Sequence, residues 1–292
     1  DISGLLNDHM YDCQTREISE RFLPFAKDER SFLLELCSAD FVRARLEAAP
    51  VGNVVLPDSE IGFSVLTPYF AHKSFFVECA KSVAAAAVRV DRPVEWVVFN
   101  DDPTMPDDQL KSLIPEALQR QVRIVSDGQN HGIAVAQNRA AAAASYTWLV
   151  LLDCDDLLEP QALEALETAI IEAPGTRYFS SLMIDIDESG AELRRRRREH
   201  MPSDLFREGM IMGHMVAVRR DLFDALQGFD PRFSGVQDYH FALRVAQREQ
   251  IGCLPMHLYR YRWHERTQSV SGAFRQAKLS DAVRSAFLNE SL

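Results

Sequence analysis

The chain has 292 residues, 47% of them hydrophobic and 26% charged, the composition of an ordinary globular protein with room for one sizeable domain and an appendage. Its formal net charge of −11 argues against a nucleic-acid partner, because binding a phosphate backbone calls for a basic face. Five scattered cysteines (Cys13, Cys37, Cys79, Cys154 and Cys253) form no C-x-x-C pair, which fits a reduced, cytoplasmic protein better than a disulfide framework or a zinc site.

No run approaches the roughly 20 apolar residues of a membrane span, and no secretory signal opens the chain. It begins at Asp1 without a methionine. The expectation is therefore a piece of something longer, with peripheral attachment to the inner face of a membrane left open as a setting.

Residues 1–60 read as a helical extension and linker. Phe22, Leu23 and Phe25, then Phe32, Leu33, Leu34 and Leu36, lie among charges at helical spacing, and Pro50 and Gly52 supply a breaker. From Gly62 the pattern alternates. Phe63 to Thr67 is a buried strand ended by Pro68, and residues 73–88 are a helix with an alanine-rich face. Trp96 to Phe99 is a second strand. Pro106 starts a helix reaching about Gln119. Val122 to Val125 is a third strand, residues 133–144 a helix, Thr147 to Leu152 a fourth strand, and Glu159-Pro160 opens a further helix. Beyond residue 176 the sequence suggests a hairpin around Asp187 to Gly190, a strand at 214–218, helices at 221–226 and 236–247, a strand at 256–263, and a helical tail over 272–292.

Apolar strands alternating with helices predict an α/β fold, a mostly parallel sheet covered on both faces. Ligands of such sheets bind outside the carboxyl ends of the strands. Three polar stations fall there: Thr67 to Tyr69, Asn100 to Asp102, and Asp153 to Asp156.

The last station is the most telling. Asp153, Asp155 and Asp156 would repel one another at the end of a buried strand unless a cation compensates them. Mg²⁺ or Mn²⁺, bound by one or two carboxylates and substrate phosphates, is the natural partner, and would neutralise a diphosphate leaving group. The competing reading is a set of helix-capping carboxylates before Pro160.

Residues 62–270 resemble a GT-A fold glycosyltransferase of family 2. The resemblance is carried by Phe63-Ser64-Val65-Leu66-Thr67-Pro68-Tyr69, by Asn100-Asp101-Asp102-Pro103 and by Asn130-His131-Gly132 with Ala136-Gln137-Asn138-Arg139. Leu151-Leu152-Asp153-Cys154-Asp155-Asp156, Gly228-Phe229-Asp230-Pro231-Arg232-Phe233 with Gln237-Asp238-Tyr239, and Tyr261-Arg262-Trp263-His264 with Ser269-Val270-Ser271 complete it. It implies a Rossmann-like mixed sheet over 61–271, with a nucleotide-sugar half at 61–160 and an acceptor half at 176–271. Asp101, with Asp102, would meet the base and ribose, joined by the chain at Thr67, Pro68 and Tyr69; Asn130 and Arg139 would add nucleotide or phosphate contacts. Asp155 would be the principal ligand of Mn²⁺ or Mg²⁺, Asp153 would lie on ribose or metal, and His264 would complete the metal site. Asp238 would be the general base. A carboxylate at a helix start without a neighbouring lysine or arginine is also chemically suited to accept a proton.

The implied reaction moves a sugar, with inversion, from a nucleotide-diphospho-sugar (a UDP-sugar foremost) to a glycan, lipid-linked or small-molecule acceptor. The sequence departs from the family pattern at three places. Asn100 to Pro103 lacks the usual glycine, Gln137 stands where an arginine is usual, and Gln237 replaces a glutamate before Asp238. Arg194 to Arg198 reads as a solvated face paired with local acids, or a contact for an anionic acceptor. His214 reads as a packing residue, with a place in a flexible acceptor-side loop as the alternative. A catalytically silent nucleotide-sugar-binding domain and a nucleotidyltransferase are the alternative functions; the second normally brings a glycine-rich phosphate loop, which Pro68 to His72 does not show.

Overall fold

The computed structural model describes residues 61–196, 205, 209–265 and 273–289. The extension expected over residues 1–60, Arg197 and Arg198, and Ser269 to Ser271 lie outside the described residues.

The first half is a parallel sheet. Strands β1 (Phe63–Tyr69), β2 (Val94–Asn100), β3 (Val122–Ser126) and β4 (Trp148–Leu151) alternate with helices α1 (Lys73–Ala87), α2 (Asp107–Ser112) and α3 (Ile133–Ala143). A two-residue strand β5 (Leu157–Leu158) and helix α4 (Ala162–Glu172) follow. The second half contains β6 (Tyr178–Ile186), β7 (Glu192–Arg195), β8 (Val216–Arg219), α5 (Arg220–Ala225), α6 (Gln237–Ala246), β9 (Ile251–Arg262) and α7 (Ala273–Asn289). The strands form one sheet in the order β3-β2-β1-β4-β8-β6-β9-β5, with β7 paired to β6. Pairings among β1 to β4 are parallel, β8 runs antiparallel to β4 and β6, and β9 lies parallel to β6.

Every residue of β1 and β2 is buried, because helices cover both faces of the sheet. Strand alternation divides the apolar side chains between two cores. Val65, Trp96, Val98 and Val150 meet α1 and α4 through Phe76, Val83, Leu163 and Leu166. Leu66, Val97, Phe99 and Leu149 face the alanines of α3 and the apolar faces of α5 and α6. Small residues at Ala136, Ala140 and Ala141 bring α3 close to the sheet. The described part of the tail is helical and buries Leu279, Val283 and Phe287 in the second core.

Two elements differ from expectation. The helix opened by Pro106 stops at Ser112, and a separate 3-10 turn covers Glu116–Leu118. Pro115 is the cause: it has no N–H to continue the ladder, and its ring disfavours helical backbone in the residue before it. The last strand starts at Ile251 rather than 256, because β6 offers a long partner and accommodates Pro255 at a register shift. Among the described residues, no helix is long and apolar enough to cross a membrane.

Gly213 enters β8 so close to β6 that an added Cβ would lie 2.3 Å from the Ser181 carbonyl oxygen. Gly213→Ala must push two backbones apart, and should cost about 1–3 kcal/mol in urea unfolding. An unchanged midpoint would contradict this close approach.

Candidate active site

The strand order reverses at β1. The chain proceeds outward to β2 and β3, then returns to place β4 on the other side of β1, so a crevice opens at the C-terminal ends of β1 and β4. Tyr69 pairs in register with Asn100, the Asp101 amide donates to the Tyr69 carbonyl at 2.8 Å, and the Leu152 amide donates to Leu66 at 3.0 Å. The three polar stations therefore share one rim.

The acidic station divides into different tasks. Asp156 is buried and accepts hydrogen bonds from the Tyr259 hydroxyl at 2.7 Å and the Arg262 amide at 2.7 Å. It anchors β9 rather than facing the crevice. The Tyr259 hydroxyl also accepts from the Asp153 amide at 3.2 Å. Arg262, itself buried, donates to the Asp155 carbonyl at 2.8 Å, to Glu78 at 2.7 Å and to the Glu188 carbonyl at 2.9 Å. Since β5 runs antiparallel to β9 directly after the motif, β9 ends beside it. His264 then lies with Nε2 2.9 Å from Asp155 Oδ2. The Asp155 side chain keeps 21% of its exposure, against 4% for His264.

Burial, then the charges of Asp155 and Asp238, raise the Asp153 carboxyl to about 7. Burial and the same crowding push Asp156 well above the carboxylate range. Below the motif, burial and these acids keep the thiols of Cys79 and Cys154 protonated. A concentration of negative charge this close to the His264 imidazole fits a divalent cation.

At the end of β1, Thr67 and Tyr69 turn their side chains inward. Thr67 Oγ1 accepts from Trp96 Nε1 at 2.9 Å, and Tyr69 is buried edge-on to Phe76. With Pro68 also buried, what this segment offers a ligand is backbone. Asp101 is buried, and its two oxygens accept from the His131 and Gly132 amides at 2.8 and 2.9 Å. It shapes the loop that starts α3. Asp102 is half-buried and accepts from the Thr104 amide and hydroxyl. Asn130 is exposed and accepts from the Gly132 amide at 3.1 Å. Arg139 pairs with Asp127 and lies over the Phe99 ring at 5.5 Å.

On the other side of the crevice, Asp238 sits half-buried in the first turn of α6, and its charge is felt at Asp153 and His214. The neighbouring Gln237 accepts from the Gly235 amide at 2.7 Å and donates to Gln137 Oε1 at 3.4 Å. Two departures from the family pattern thus touch: a neutral amide pair stands where arginine and glutamate would meet. It joins α3 to the start of α6. His214 stacks on Tyr261 at 6.0 Å, and burial holds its imidazole below the usual range against the pull of Asp238. Arg194 and Arg196 both bind the buried Asp185, and Arg195 pairs with Glu192. The described part of the arginine tract is therefore paired with local acids.

Sequence reading missed His72 as a member of the site. It follows β1 by three residues, and its ring lies 4.6 Å from that of His264. One donor atom each from His72, Asp155 and His264 lie within 4.8 Å of one another. Position at the switch point was the signal available.

The sheet and its helices are those of a GT-A glycosyltransferase. The chain belongs to glycosyl transferase family 2, whose model matches residues 64–227. O-antigen biosynthesis protein RfbC of Myxococcus xanthus is 27% identical over 249 residues, covering 82% of this chain and 18% of that protein. An uncharacterized glycosyltransferase of Haemophilus influenzae is 22% identical over 133 residues, covering 43% of this chain and 45% of that protein. The chain thus spans less than half the length of either relative. Among solved structures, S. aureus TarS 1-349 in complex with UDP-GlcNAc aligns with a TM-score of 0.58 at 17% identity, over 71% of this chain and 60% of that one. Its complex with UDP aligns equally well, at 16% identity over 78% of this chain and 71% of that one. At these identities the likeness is one of fold.

Tyr259→Phe removes a hydroxyl that serves both Asp156 and the Asp153 amide; it should cost about 1–3 kcal/mol, measured by chemical unfolding. A neutral effect would contradict the anchoring role of Asp156. Without metal, Asp153 holds a proton in the folded state up to about 7 that an unfolded aspartate loses near 4. Its contribution to stability therefore falls as pH rises between those values. Thermal melts in chelator should show wild type losing ground to Asp153→Asn across that window; parallel pH profiles would refute the assignment.

Proposed function

We propose that this domain transfers a sugar, with inversion, from a nucleotide-diphospho-sugar to an acceptor hydroxyl, using a divalent cation held at Asp155 and His264. The observation that carries this reading is the 2.9 Å contact of His264 Nε2 with Asp155 Oδ2 at the mouth of the crevice, on a family 2 scaffold. The UDP-GlcNAc and UDP complexes of TarS support a UDP-sugar donor. The O-antigen protein of Myxococcus supports a role in polysaccharide synthesis with a glycan or lipid-linked acceptor.

When bound, Mn²⁺ or Mg²⁺ supplies neutralising charge for the departing nucleoside diphosphate. The protein's own groups do the rest. Backbone from Thr67 to Tyr69, Asp102 and the loop held by Asp101 receive the nucleotide, with Asn130 and Arg139 at its edge. Asp153, beside the metal ligand, takes the ribose or joins the cation. Asp238 accepts the proton of the acceptor hydroxyl as its oxygen bonds to the anomeric carbon, on the face opposite the breaking bond to the diphosphate. Arg262 fixes the Asp155 carbonyl, and Tyr259 with Asp156 fixes the turn, so the carboxylates are oriented before substrate arrives.

Asp238→Asn should retain nucleotide-sugar affinity within about threefold while turnover falls at least a hundredfold, the range of general-base contributions. Asp155→Ala should instead abolish metal-dependent UDP binding in calorimetry. Undiminished transfer by Asp238→Asn, or metal-dependent binding by Asp155→Ala, would contradict these roles.

A further inference from the structure

We infer that His72 is a third ligand of the cation, making a site of two imidazoles and one carboxylate that favours Mn²⁺ over Mg²⁺. The inference rests on the reading of Asp155 and His264 as metal ligands and adds to it a residue, a donor set and a selectivity.

The geometry begins in the backbone. Ala71 and His72 both adopt left-handed conformations, with φ of 60° and 56°. Two consecutive residues with side chains in this region cost about 1–2 kcal/mol each. The turn they form ends β1's extension and directs His72 toward the end of β9 instead of along α1. There the His72 ring meets His264 edge-on at 4.6 Å and stacks on Phe75 at 5.7 Å. Phe75 lies 5.1 Å from His264 and carries the Arg262 guanidinium on its ring at 4.6 Å. One wall thus supports both imidazoles, and the arginine in that wall also holds the Asp155 carbonyl.

Donor atoms of His72, Asp155 and His264 lie within 4.8 Å of one another, and the Asp155–His264 pair is already at 2.9 Å. A cation bound at about 2.1 Å sets adjacent ligands roughly 3 Å apart, so side-chain rotation at His72 completes the site without moving a strand. Three elements separated in sequence, the ends of β1, β4 and β9, would then be tied at one point. The rest of the coordination shell is left to diphosphate oxygens and water.

The donor set decides the selectivity. Mg²⁺ demands oxygen and gives up water reluctantly, whereas Mn²⁺, a first-row transition ion, accepts imidazole nitrogen more readily than Mg²⁺ does. Two nitrogens and one oxygen from the protein therefore favour Mn²⁺ over Mg²⁺.

Electron spin echo spectroscopy of the protein loaded with Mn²⁺ alone counts the coordinated imidazole nitrogens directly. Wild type should show two. His72→Asn, chosen because asparagine tolerates the left-handed turn, should show one; so should His264→Ala. Calorimetry should show Mn²⁺ affinity reduced about tenfold or more in His72→Asn, with Mg²⁺ affinity changed less. A single nitrogen in wild type, lost with His264→Ala and kept in His72→Asn, would overturn the role of His72 and leave the Asp155–His264 site standing. Mn²⁺ bound normally by Asp155→Ala would overturn both.

Discussion

Three carboxylates within four residues, at the end of a strand whose faces are both covered, form the constraint on which this molecule turns. Like charges about 4 Å apart repel by about 4 kcal/mol at the effective dielectric of a protein surface. Each carboxylate is therefore treated differently. Asp156 is taken inward and held by Tyr259 and the Arg262 amide. Asp155 turns outward to His264, and Asp153 is left protonated up to about 7. The first solution draws β9 across the sheet, so compensating the motif and delivering His264 to it are one structural act.

The two halves of the site differ in how they are built. The first half is a parallel sheet whose ends coincide in register, and the family model, over residues 64–227, spans it and continues through β8. Asp238 and His264 fall beyond that match and reach the crevice through the mixed half of the sheet. The Gln137–Gln237 pair joins the halves without charge, leaving Asp238 as the acidic group of its turn. Its charge is felt at His214, which stacks on Tyr261, while Arg196 covers Tyr261 and Trp263 and is bound to Asp185.

Much of this was legible in the sequence. Apolar strands ending in polar residues located the rim, because parallel sheets bury strands completely and expose only their ends. The acidic motif was legible for the same reason. What lay hidden depends on contacts across the chain. Nothing near Asp156 announces that Tyr259 will claim it, more than a hundred residues later. Thr67 and Tyr69 lie at the rim, but strand alternation turns their side chains into the core. His72 escaped because a left-handed turn leaves no periodic signature. The two glutamines read as separate departures and became one exchange only when α3 and α6 were brought together. Pro115, by contrast, stands in the sequence as a visible reason for α2 to end before it.

The most direct test of the metal-bearing donor site is a crystal of the protein with UDP and Mn²⁺, measured at the manganese absorption edge. An anomalous peak should lie within about 2.3 Å of the Asp155 carboxylate and His264 Nε2, with the diphosphate at the C-terminal ends of β1 and β4. UDP bound elsewhere, or in that crevice with no manganese at Asp155, would contradict the account.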